Sequence, residues 1–385
     1  MKRRILFVST ISSTVTAFLI PFAKYFRETG WIVDVLARNV TKQEGCQTVF
    51  DNLWDIKWSR NPFDIKNFIN PPKFIQDLIC NEKYDIIHVH TPVASFVTRY
   101  ALRNFKDKDK PVIIYTAHGF HFHKHGSLLK NKLFLNLEKI AGKWMDYLIV
   151  INREDEEAAK KYKICPPSKI RYIPGIGIDT KLYDPSKISV ENISQIRNEL
   201  KLGSNDILFL MISEFNPGKR HRDLIKAFSN IMSPNVHLAL AGIGSMQNKI
   251  MELVKKLRID NRVHFLGFRN DIPVLIRASR ATILPSEREG LPRSIMESLS
   301  LEVPVIGSNI RGIQELLEGN CGLLINTGNI DCLTNAMRWI IDHESETKEM
   351  GKNGRIKMQG LYKLSNILKA HEELYTEAVG RKIKR

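Results

Sequence analysis

Residues 285–300 combine a glycine-containing turn, a proline and a helical pattern directly after a short apolar strand. The strand spans Ala281–Leu284, and Pro292 suits the first turn of a helix because its missing N–H costs nothing there. The backbone N–H groups of Gly290 and Leu291 would then point out of the helix start. Such a helix start favours negative charge, so the segment predicts a site for an anion such as a diphosphate.

Two carboxylates flank this helix start and are separated by seven residues. Glu289 lies on the turn, where it could hydrogen-bond to sugar hydroxyls. Glu297 lies about two turns into the predicted helix, where it could bind a ribose diol. The alternative is a charged loop with a solvent-facing glutamate, or a partly buried Glu297, since Ile295, Met296 and Leu299 surround it. The spacing alone leaves these interpretations open.

A histidine cluster follows another predicted strand and comprises His118, His121, His123 and His125. Histidine-rich tracts can bind metal. Here no cysteine or carboxylate completes a ligand set within the tract, and the alternate spacing spreads the rings over a loop, so no metal site is predicted. Asp107 and Asp109 match a metal-binding D-x-D pattern, but the alternating charges of residues 106–110 are typical of a solvated turn.

Gly242 and Gly244 follow a strand and resemble half of a dinucleotide-binding fingerprint. The third glycine is missing and no acidic residue is well placed for a dinucleotide. We therefore expect a tight turn that lines a ligand cleft. Phe268 and Arg269 follow the next predicted strand and could flank a nucleobase.

Short apolar runs alternate with helical patterns along the chain, as in parallel sheets covered by helices on both faces. The alternation pauses between about residues 174 and 205, where glycine, proline and polar residues gather. A polar turn is predicted at residues 9–14. The predicted strands are 5–8, 32–36, 86–89, 112–116, 147–151 and 171–173, then 207–212, 236–242, 263–266, 281–284, 303–306 and 322–325.

This pattern predicts an α/β fold of two facing, Rossmann-like, doubly wound domains. Residues 1–180 would form one domain and residues 181–362 the other. Residues 363–385 would form a helix, either on the surface or packed back on the first domain. Because ligands bind at the carboxyl ends of parallel strands, the cleft between the facing sheets is the expected site.

The composition of the 385 residues, 43% hydrophobic and 26% charged, is that of a globular chain large enough for two domains. The net charge of +17 is spread over the chain, and it suits nucleic acid, an anionic membrane surface or phosphorylated small molecules. No zinc-finger or RNP-type signature supports nucleic acid. Five scattered cysteines fit a reducing cytoplasm, and no run reaches the roughly 20 apolar residues of a membrane span.

Several segments together resemble the retaining glycosyltransferases of the GT-B fold, specifically their large fourth family. Glu289 and Glu297 match that family's E-x7-E motif. Each of the other matches is weak by itself, but they occur in the family's order and cover nearly the whole chain. They are residues 85–92, 116–119, 173–179, 303–306 and 321–324. The sequence Thr-Ala-His-Gly-Phe-His-Phe at 116–122 further resembles a subgroup found in bacterial capsule and exopolysaccharide assembly.

The resemblance implies roles for individual residues. The first domain would bind an acceptor and the second a nucleotide sugar, and His118 would contact the donor sugar. Family members hold the donor diphosphate with an arginine and a lysine five residues later. Lys219 matches the lysine, with a solvated loop lysine as the alternative, but Glu214 occupies the arginine position. The second cation could come from Arg220, Arg288 or Arg293.

The implied chemistry explains why a cation is needed. Breaking the sugar–phosphate bond leaves extra negative charge on the nucleoside diphosphate, and fixed cations and a helix start stabilise it. Protein cations would replace a metal, so neither a divalent ion nor a cofactor is predicted, the nucleotide sugar being a substrate. Ser12 and Ser13 stand where many relatives carry two glycines that approach the donor; ordinary helix capping is the alternative.

The resemblance also implies retention of anomeric configuration, a UDP-linked donor and a lipid-diphosphate-linked sugar or glycan as acceptor. We expect a cytoplasmic protein without a nucleic-acid partner, whose basic first domain could rest on the anionic inner leaflet. The competing hypotheses are a nucleotide-sugar epimerase or phosphorylase on the same fold, and a non-catalytic protein that binds nucleotide sugar or nucleic acid. The candidate membrane-facing cations are Lys2, Arg3, Arg4, Lys57, Arg60, Lys66, Lys73, Lys124, Lys130 and Lys132.

Overall fold

The structure is a computed structural model that describes residues 2–105, 110–122 and 126–383. Five residues singled out in the sequence lie outside the described residues: Asp107, Asp109, His123, Lys124 and His125. The chain divides into two compact units. The first comprises Met1–Ile176 with Ile367–Arg385, and the second comprises Gly177–Asn366.

A seven-stranded parallel sheet forms the centre of the first unit, in the order β3-β2-β1-β4-β5-β6-β7. Every residue of its two central strands β4 and β5 is buried, as expected for a sheet covered on both faces. The strands are β1 (Arg4–Ile11), β2 (Ile32–Arg38), β3 (Leu53–Asp55), β4 (Ile86–His90), β5 (Val112–Ala117), β6 (Tyr147–Val150) and β7 (Ile170–Tyr172).

Helices connect these strands, and a π-helical turn at Val15–Leu19 joins the first helix to the second. They are α1 (Ser12–Thr14), α2 (Ile20–Glu28), α3 (Glu44–Gln47), α4 (Asn70–Glu82), α5 (Pro92–Ala101), α6 (Leu128–Ala141) and α7 (Arg153–Lys161).

A six-stranded parallel sheet forms the centre of the second unit, in the order β10-β9-β8-β11-β12-β13. Its strands are β8 (Ile207–Ile212), β9 (Val236–Ala241), β10 (Val263–Gly267), β11 (Ala281–Leu284), β12 (Val305–Ser308) and β13 (Gly322–Ile325). Its helices are α8 (Val190–Glu199), α9 (His221–Ser229), α10 (Gln247–Lys256), α11 (Ile272–Ala278), α12 (Arg293–Ser300), α13 (Ile313–Leu317), α14 (Ile330–Asp342) and α15 (Glu344–Gln359).

The last helix, α16 (Leu364–Ile383), contacts the first unit through its aromatic and acidic side chains. The ring of Tyr375 lies 4.8 Å from that of Phe26, centroid to centroid. Tyr25 donates a hydrogen bond of 2.7 Å to Glu372. These contacts add the end of the chain to the core built by its beginning.

The predicted polar turn at residues 9–14 is wrong in its first half, because β1 continues to Ile11. Ser9 and Thr10 are buried in the strand. The Thr10 hydroxyl pairs with that of Thr91 at 2.7 Å, and the Trp58 indole donates to the Thr10 carbonyl at 2.7 Å. Partners far away in sequence therefore permit polar residues to continue a buried strand.

Candidate functional site

The carboxyl ends of β8 and β11 lie side by side, because these strands pair where the order of the second sheet reverses. The loops that follow them are joined, since the Glu287 N–H donates to the Gly218 carbonyl at 2.8 Å. Open α/β sheets bind ligands at this kind of edge. We call residues 213–220 the β8 loop and residues 285–292 the β11 loop, and together they form the candidate site.

An ion pair joins the two loops, with Lys219 Nζ 2.5 Å from Glu289 Oε1. Both side chains keep some exposure, 25% for the lysine and 12% for the glutamate. Arg220 has a left-handed backbone and forms ion pairs with Asp223 and Glu287. The structure thus brings together the residues predicted to bind phosphate and sugar, and it supplies carboxylate partners for both cations of the β8 loop.

The other candidates for the second phosphate-binding cation differ in their pairing. Arg293 forms an ion pair of 2.8 Å with Glu297. Arg288 forms no ion pair within the part of the chain that the structure describes. Its pKa is lowered, first by loss of hydration and then by the nearby charge of Arg311. Two neighbouring guanidinium groups that raise each other's energy are a favourable place for an anion.

Arg311 follows β12 and was not singled out from the sequence. It is 8% exposed, and its Nε donates to the Glu289 carbonyl at 3.4 Å. The loop that follows β12 approaches the β11 loop closely at Gly312. The φ of Gly312 is +76°, and a Cβ there would lie 1.6 Å from the Gly290 carbonyl oxygen. Only glycine permits this approach. No sequence pattern marks Arg311 itself, and the glycine that follows it is the only local signal of a close approach.

The helix start predicted as an anion site is present at α12. The helix begins at Arg293, with Pro292 as the N-cap. Among the described residues no side chain caps this helix, and its first turn contains no acidic residue. Uncapped first-turn N–H groups suit a phosphate. Leu291 is buried beneath the turn.

Glu297 is the fifth residue of α12, so it lies little more than one turn from the helix start rather than two. It is 7% exposed. Its Oε1 accepts hydrogen bonds from the Tyr183 hydroxyl at 2.6 Å and from Arg293 Nε at 2.8 Å. Burial raises the pKa of the carboxyl, while Arg293 and Tyr183 act against that rise. Its role toward a ribose stays a prediction.

Gly244 and Phe268 follow the neighbouring strands β9 and β10. A Cβ at Gly244 would lie 2.5 Å from the Phe215 carbonyl oxygen, so this turn fits tightly against the β8 loop. The Phe215 N–H donates to the Ile243 carbonyl at 3.1 Å. Phe268 is 72% exposed, whereas the side chain of Arg269 is held by two carboxylates. An exposed ring at this edge is available to stack on a base.

The carboxyl edge of the first sheet carries a different kind of cluster, built from His88, His90, His118 and His371. His88 is completely buried and shares hydrogen bonds with Tyr375 at 2.5 Å and Thr116 at 2.7 Å. Burial lowers the pKa of every ring in this histidine cluster, with further lowering by neighbouring rings for all but His371. The cluster is therefore neutral at pH 7.

His118 lies at the exposed side of the histidine cluster. Its Nε2 shares a hydrogen bond of 3.0 Å with His90 Nδ1, and the Phe18 ring stacks on it at 5.9 Å. Burial, then the charge that His371 would carry, lowers the pKa of His118 to about 4. His121 instead lies beside the ring of Phe134. The structure therefore separates these two members of the predicted tract.

The backbone next to His90 is unusual. Thr91 has φ 64°, a conformation that costs energy in a β-branched residue. Its hydroxyl donates to the His90 carbonyl and accepts hydrogen bonds from the N–H and the hydroxyl of Thr10, and these contacts hold it there. Such strain often marks a functional site.

Ser12 and Ser13 follow β1 at the same edge of the sheet. Ser12 is buried and Ser13 is exposed. The N-cap of α1 is Ile11, and no side-chain cap is found in the described residues there. The helix-capping alternative is therefore wrong, and contact with a donor stays a prediction.

Two kinds of feature are absent from the residues that the structure describes. No group of three or more histidine, cysteine, aspartate or glutamate side chains is arranged to hold a metal ion. No helix has both the length and the apolar character needed to cross a membrane.

Comparison with known proteins places both units. Residues 15–182 match the family described as Glycosyltransferase Family 4, and residues 192–357 match Glycosyl transferases group 1. The chain is 32% identical to the putative glycosyltransferase EpsD of Bacillus subtilis, over 92% of each protein. It is 29% identical to the UDP-Gal:alpha-D-GlcNAc-diphosphoundecaprenol alpha-1,3-galactosyltransferase of Escherichia coli, over 83% of this chain and 81% of that protein.

Solved structures agree on the fold. Anabaena HepE in complex with UDP superposes with a TM-score of 0.79 at 22% identity, covering 98% of this chain and all of that one. A Rickettsia africae glycosyltransferase gives the same TM-score and identity, over 98% of this chain and 99% of its own. The predicted fold, two Rossmann-like domains of the GT-B class, is confirmed. The chain belongs to the family 4 glycosyltransferases of the GT-B fold, with a group 1 glycosyltransferase domain in its second unit.

Proposed function

We propose that this glycosyltransferase moves a sugar from a UDP-linked donor to a lipid-diphosphate-linked sugar or glycan during capsule or exopolysaccharide assembly. The observation that carries the proposal is the pairing of Lys219 and Glu289 beside the uncapped start of α12. The relatives support the finer assignment. One is named for UDP-galactose and a diphosphoundecaprenol acceptor, and a Staphylococcus aureus relative, 24% identical, is named for capsular polysaccharide biosynthesis.

The donor diphosphate occupies the β11 loop and the start of α12. Lys219 turns from Glu289 to the diphosphate, and Arg288, which forms no ion pair within the described chain, supplies a second contact. Glu289, released from the lysine, accepts hydrogen bonds from the hydroxyls of the sugar. Glu297 and Phe268 are assigned to the ribose and the base.

His118 acts as a neutral hydrogen-bonding group toward the transferred sugar. Its ring stays uncharged at pH 7 because its pKa is about 4. One nitrogen is engaged by His90, so the other is directed by a fixed ring. A neutral ring does not add positive charge where the sugar itself becomes positive.

In the reaction, an acceptor hydroxyl oxygen bonds to the anomeric carbon on the face from which the phosphate departs. The bond between that carbon and the phosphate oxygen breaks, and the departing phosphate takes the hydroxyl proton. The anomeric configuration is retained. Lys219 and the helix start stabilise the charge left on the diphosphate, and no divalent ion is required. The protein works at the cytoplasmic face of the inner membrane.

The test begins with a thermal-shift screen of UDP-, GDP- and ADP-sugars, in which one UDP-sugar should raise the Tm. That donor is then incubated with a polyprenyl-diphosphate-linked sugar in the presence of EDTA. We expect a product only when the acceptor is added. Conversion of the donor without acceptor would indicate an epimerase, dependence on inorganic phosphate a phosphorylase, and binding without turnover a non-catalytic protein. Each of those outcomes contradicts the proposal.

A further inference from the structure

An apolar cleft of about 310 Å³ opens on the first unit. Phe63, Ile65 and Phe68 form one wall, Phe96 lies between, and Leu133 and Phe134 of α6 form the other wall. The ring of Phe68 meets that of Phe96 edge-on at 6.0 Å. Pockets of this volume are of ligand size, and mainly hydrocarbon groups line this one.

The few polar groups of the cleft are already engaged. Glu138 accepts a hydrogen bond from the Tyr115 hydroxyl at 3.1 Å and pairs with Arg99 at 3.3 Å. His121 lies against Phe134. Apolar contact therefore dominates the recognition of a ligand in this cleft.

The rim of the cleft exposes large apolar side chains. Ile65 is 74% exposed and Phe63 60%, and on the opposite side Leu128 and Leu129 at the start of α6 are 87% and 82% exposed. Leu129 lies one helical turn before Leu133, which lines the cleft, so this face of α6 continues the wall outward. Apolar groups exposed together around a cleft indicate a partner that buries them.

Positive charge surrounds these apolar groups. The exposed cations on the two segments are Lys57, Arg60, Lys66, Lys73, Lys130 and Lys132. Within the described residues none of them forms an ion pair, and the acidic residue between them, Asp64, accepts a hydrogen bond from the Lys66 N–H. An apolar cleft with a cationic rim is complementary to a hydrocarbon chain that carries a phosphate head group.

We propose that this cleft binds the hydrocarbon chain of the lipid-linked acceptor at the surface of an anionic bilayer. Leu128 and Leu129 enter the lipid, and Lys130 and Lys132 contact phosphate head groups. The inference rests on the proposed function, because that function supplies a lipid diphosphate as the acceptor. It adds the place at which the chain is held.

The first experiment compares two acceptors with the same sugar diphosphate, one on a polyprenyl chain and one on a short, water-soluble alkyl chain. The variant F63D/I65D should raise KM at least tenfold for the polyprenyl acceptor and leave KM for the short acceptor and for the donor unchanged. The control V190D/M232D changes apolar residues that are 73% and 85% exposed in the second unit, and it should change neither. Equal effects on both acceptors, or none, would overturn the proposal.

The second experiment does not depend on activity. The protein is sedimented with vesicles of phosphatidylglycerol and phosphatidylcholine that contain undecaprenyl phosphate. We expect K130E/K132E and L128D/L129D to lose at least tenfold in the bound fraction, while K348E/K352E, whose lysines lie on α15, binds as the parent does. Failure of the unaltered protein to bind these vesicles would refute the cleft assignment. Binding without any sugar transfer would instead leave the cleft supported and refute the proposed function.

Discussion

The carboxyl edges of the two sheets treat polar groups in opposite ways. In the second unit, Lys219, Arg220 and Arg293 each have a carboxylate partner, and the pairs remain partly exposed. In the first unit, neutral histidines hydrogen-bond to one another and to hydroxyls, and three of the four rings in the cluster are buried. Ion pairs at a surface can exchange a carboxylate for a phosphate at small cost. A buried neutral network cannot accept charge in this way, so it holds geometry instead.

The largest expected effect is a loss of folding stability in acid, because protonation disrupts the neutral histidine cluster. His371 has a pKa of about 4 in the folded protein, lowered by burial from the ordinary 6.5. Between pH 6.5 and pH 4 the unfolded chain binds this proton and the folded chain does not. The free energy of unfolding is therefore highest above pH 6.5 and decreases as the pH is lowered to about 4. The loss for this residue alone is about 3 kcal/mol. Urea unfolding at pH 7, 6, 5 and 4 measures it.

The control for the pH experiment is H371M, which keeps a similar volume without a titrating group. Its unfolding free energy should fall less steeply between pH 6.5 and 4 than that of the parent. Hydrogen exchange should show the acid-induced opening first in β4 and β5. An identical slope for the two proteins would contradict a neutral, buried His371.

Removing the ammonium group of the exchangeable pair should have the next largest effect. K219A should lower kcat about a hundredfold, because one fixed donor to the departing charge is lost. K249A, on an exposed lysine of the same unit, is the matched control. Combining K219A with E289Q gives a double-mutant cycle. If the two losses add independently, the pair does not act as one unit in binding the donor.

Y183F tests whether Glu297 is structural or functional. It removes one of two hydrogen bonds to a buried carboxylate and should cost about 1–3 kcal/mol in unfolding free energy. Y162F, on a 37% exposed tyrosine, should cost nothing measurable. If Glu297 also binds ribose, Y183F will change the donor Kd. An unchanged Kd in a destabilised protein would leave Glu297 a purely structural residue.

The smallest expected effect concerns His90, which we interpret as a positioning residue for His118. Its Nε2 is buried without a partner among the described residues. An unpaired buried acceptor costs less than an unpaired donor, so Nδ1 of His90 carries the proton and donates to His118 Nε2. H90F should then lower kcat about tenfold without changing the donor KM, and H90N, which restores a donor, should recover part of the rate. Equal losses in both variants would refute this role.

Local patterns predicted the repeated strand-and-helix order and the turn before α12, because those features follow from apolar periodicity and turn chemistry. They failed where a distant residue decides the outcome. Thr10 stays in a strand because Trp58 and Thr91 satisfy it. The sequence left the burial of Glu297 open, and the buried carboxylate is stabilised by Tyr183, over a hundred residues away, which donates to it. The strand β3 was not predicted, because its three residues are too few to show the alternation of apolar and polar residues. No local signal marked Arg311.

The bridge between Lys219 and Glu289 has a consequence for selectivity. Each group already serves as the counter-ion of the other. A ligand that binds only one of them therefore leaves the other charge without a partner. Inorganic phosphate or pyrophosphate pairs with the ammonium group and leaves the carboxylate unpaired. A free sugar hydrogen-bonds to the carboxylate and leaves the ammonium group unpaired. A molecule carrying phosphate and hydroxyls together replaces both halves at once. Under the proposed function, this bridge makes the site select an intact nucleotide sugar over its fragments.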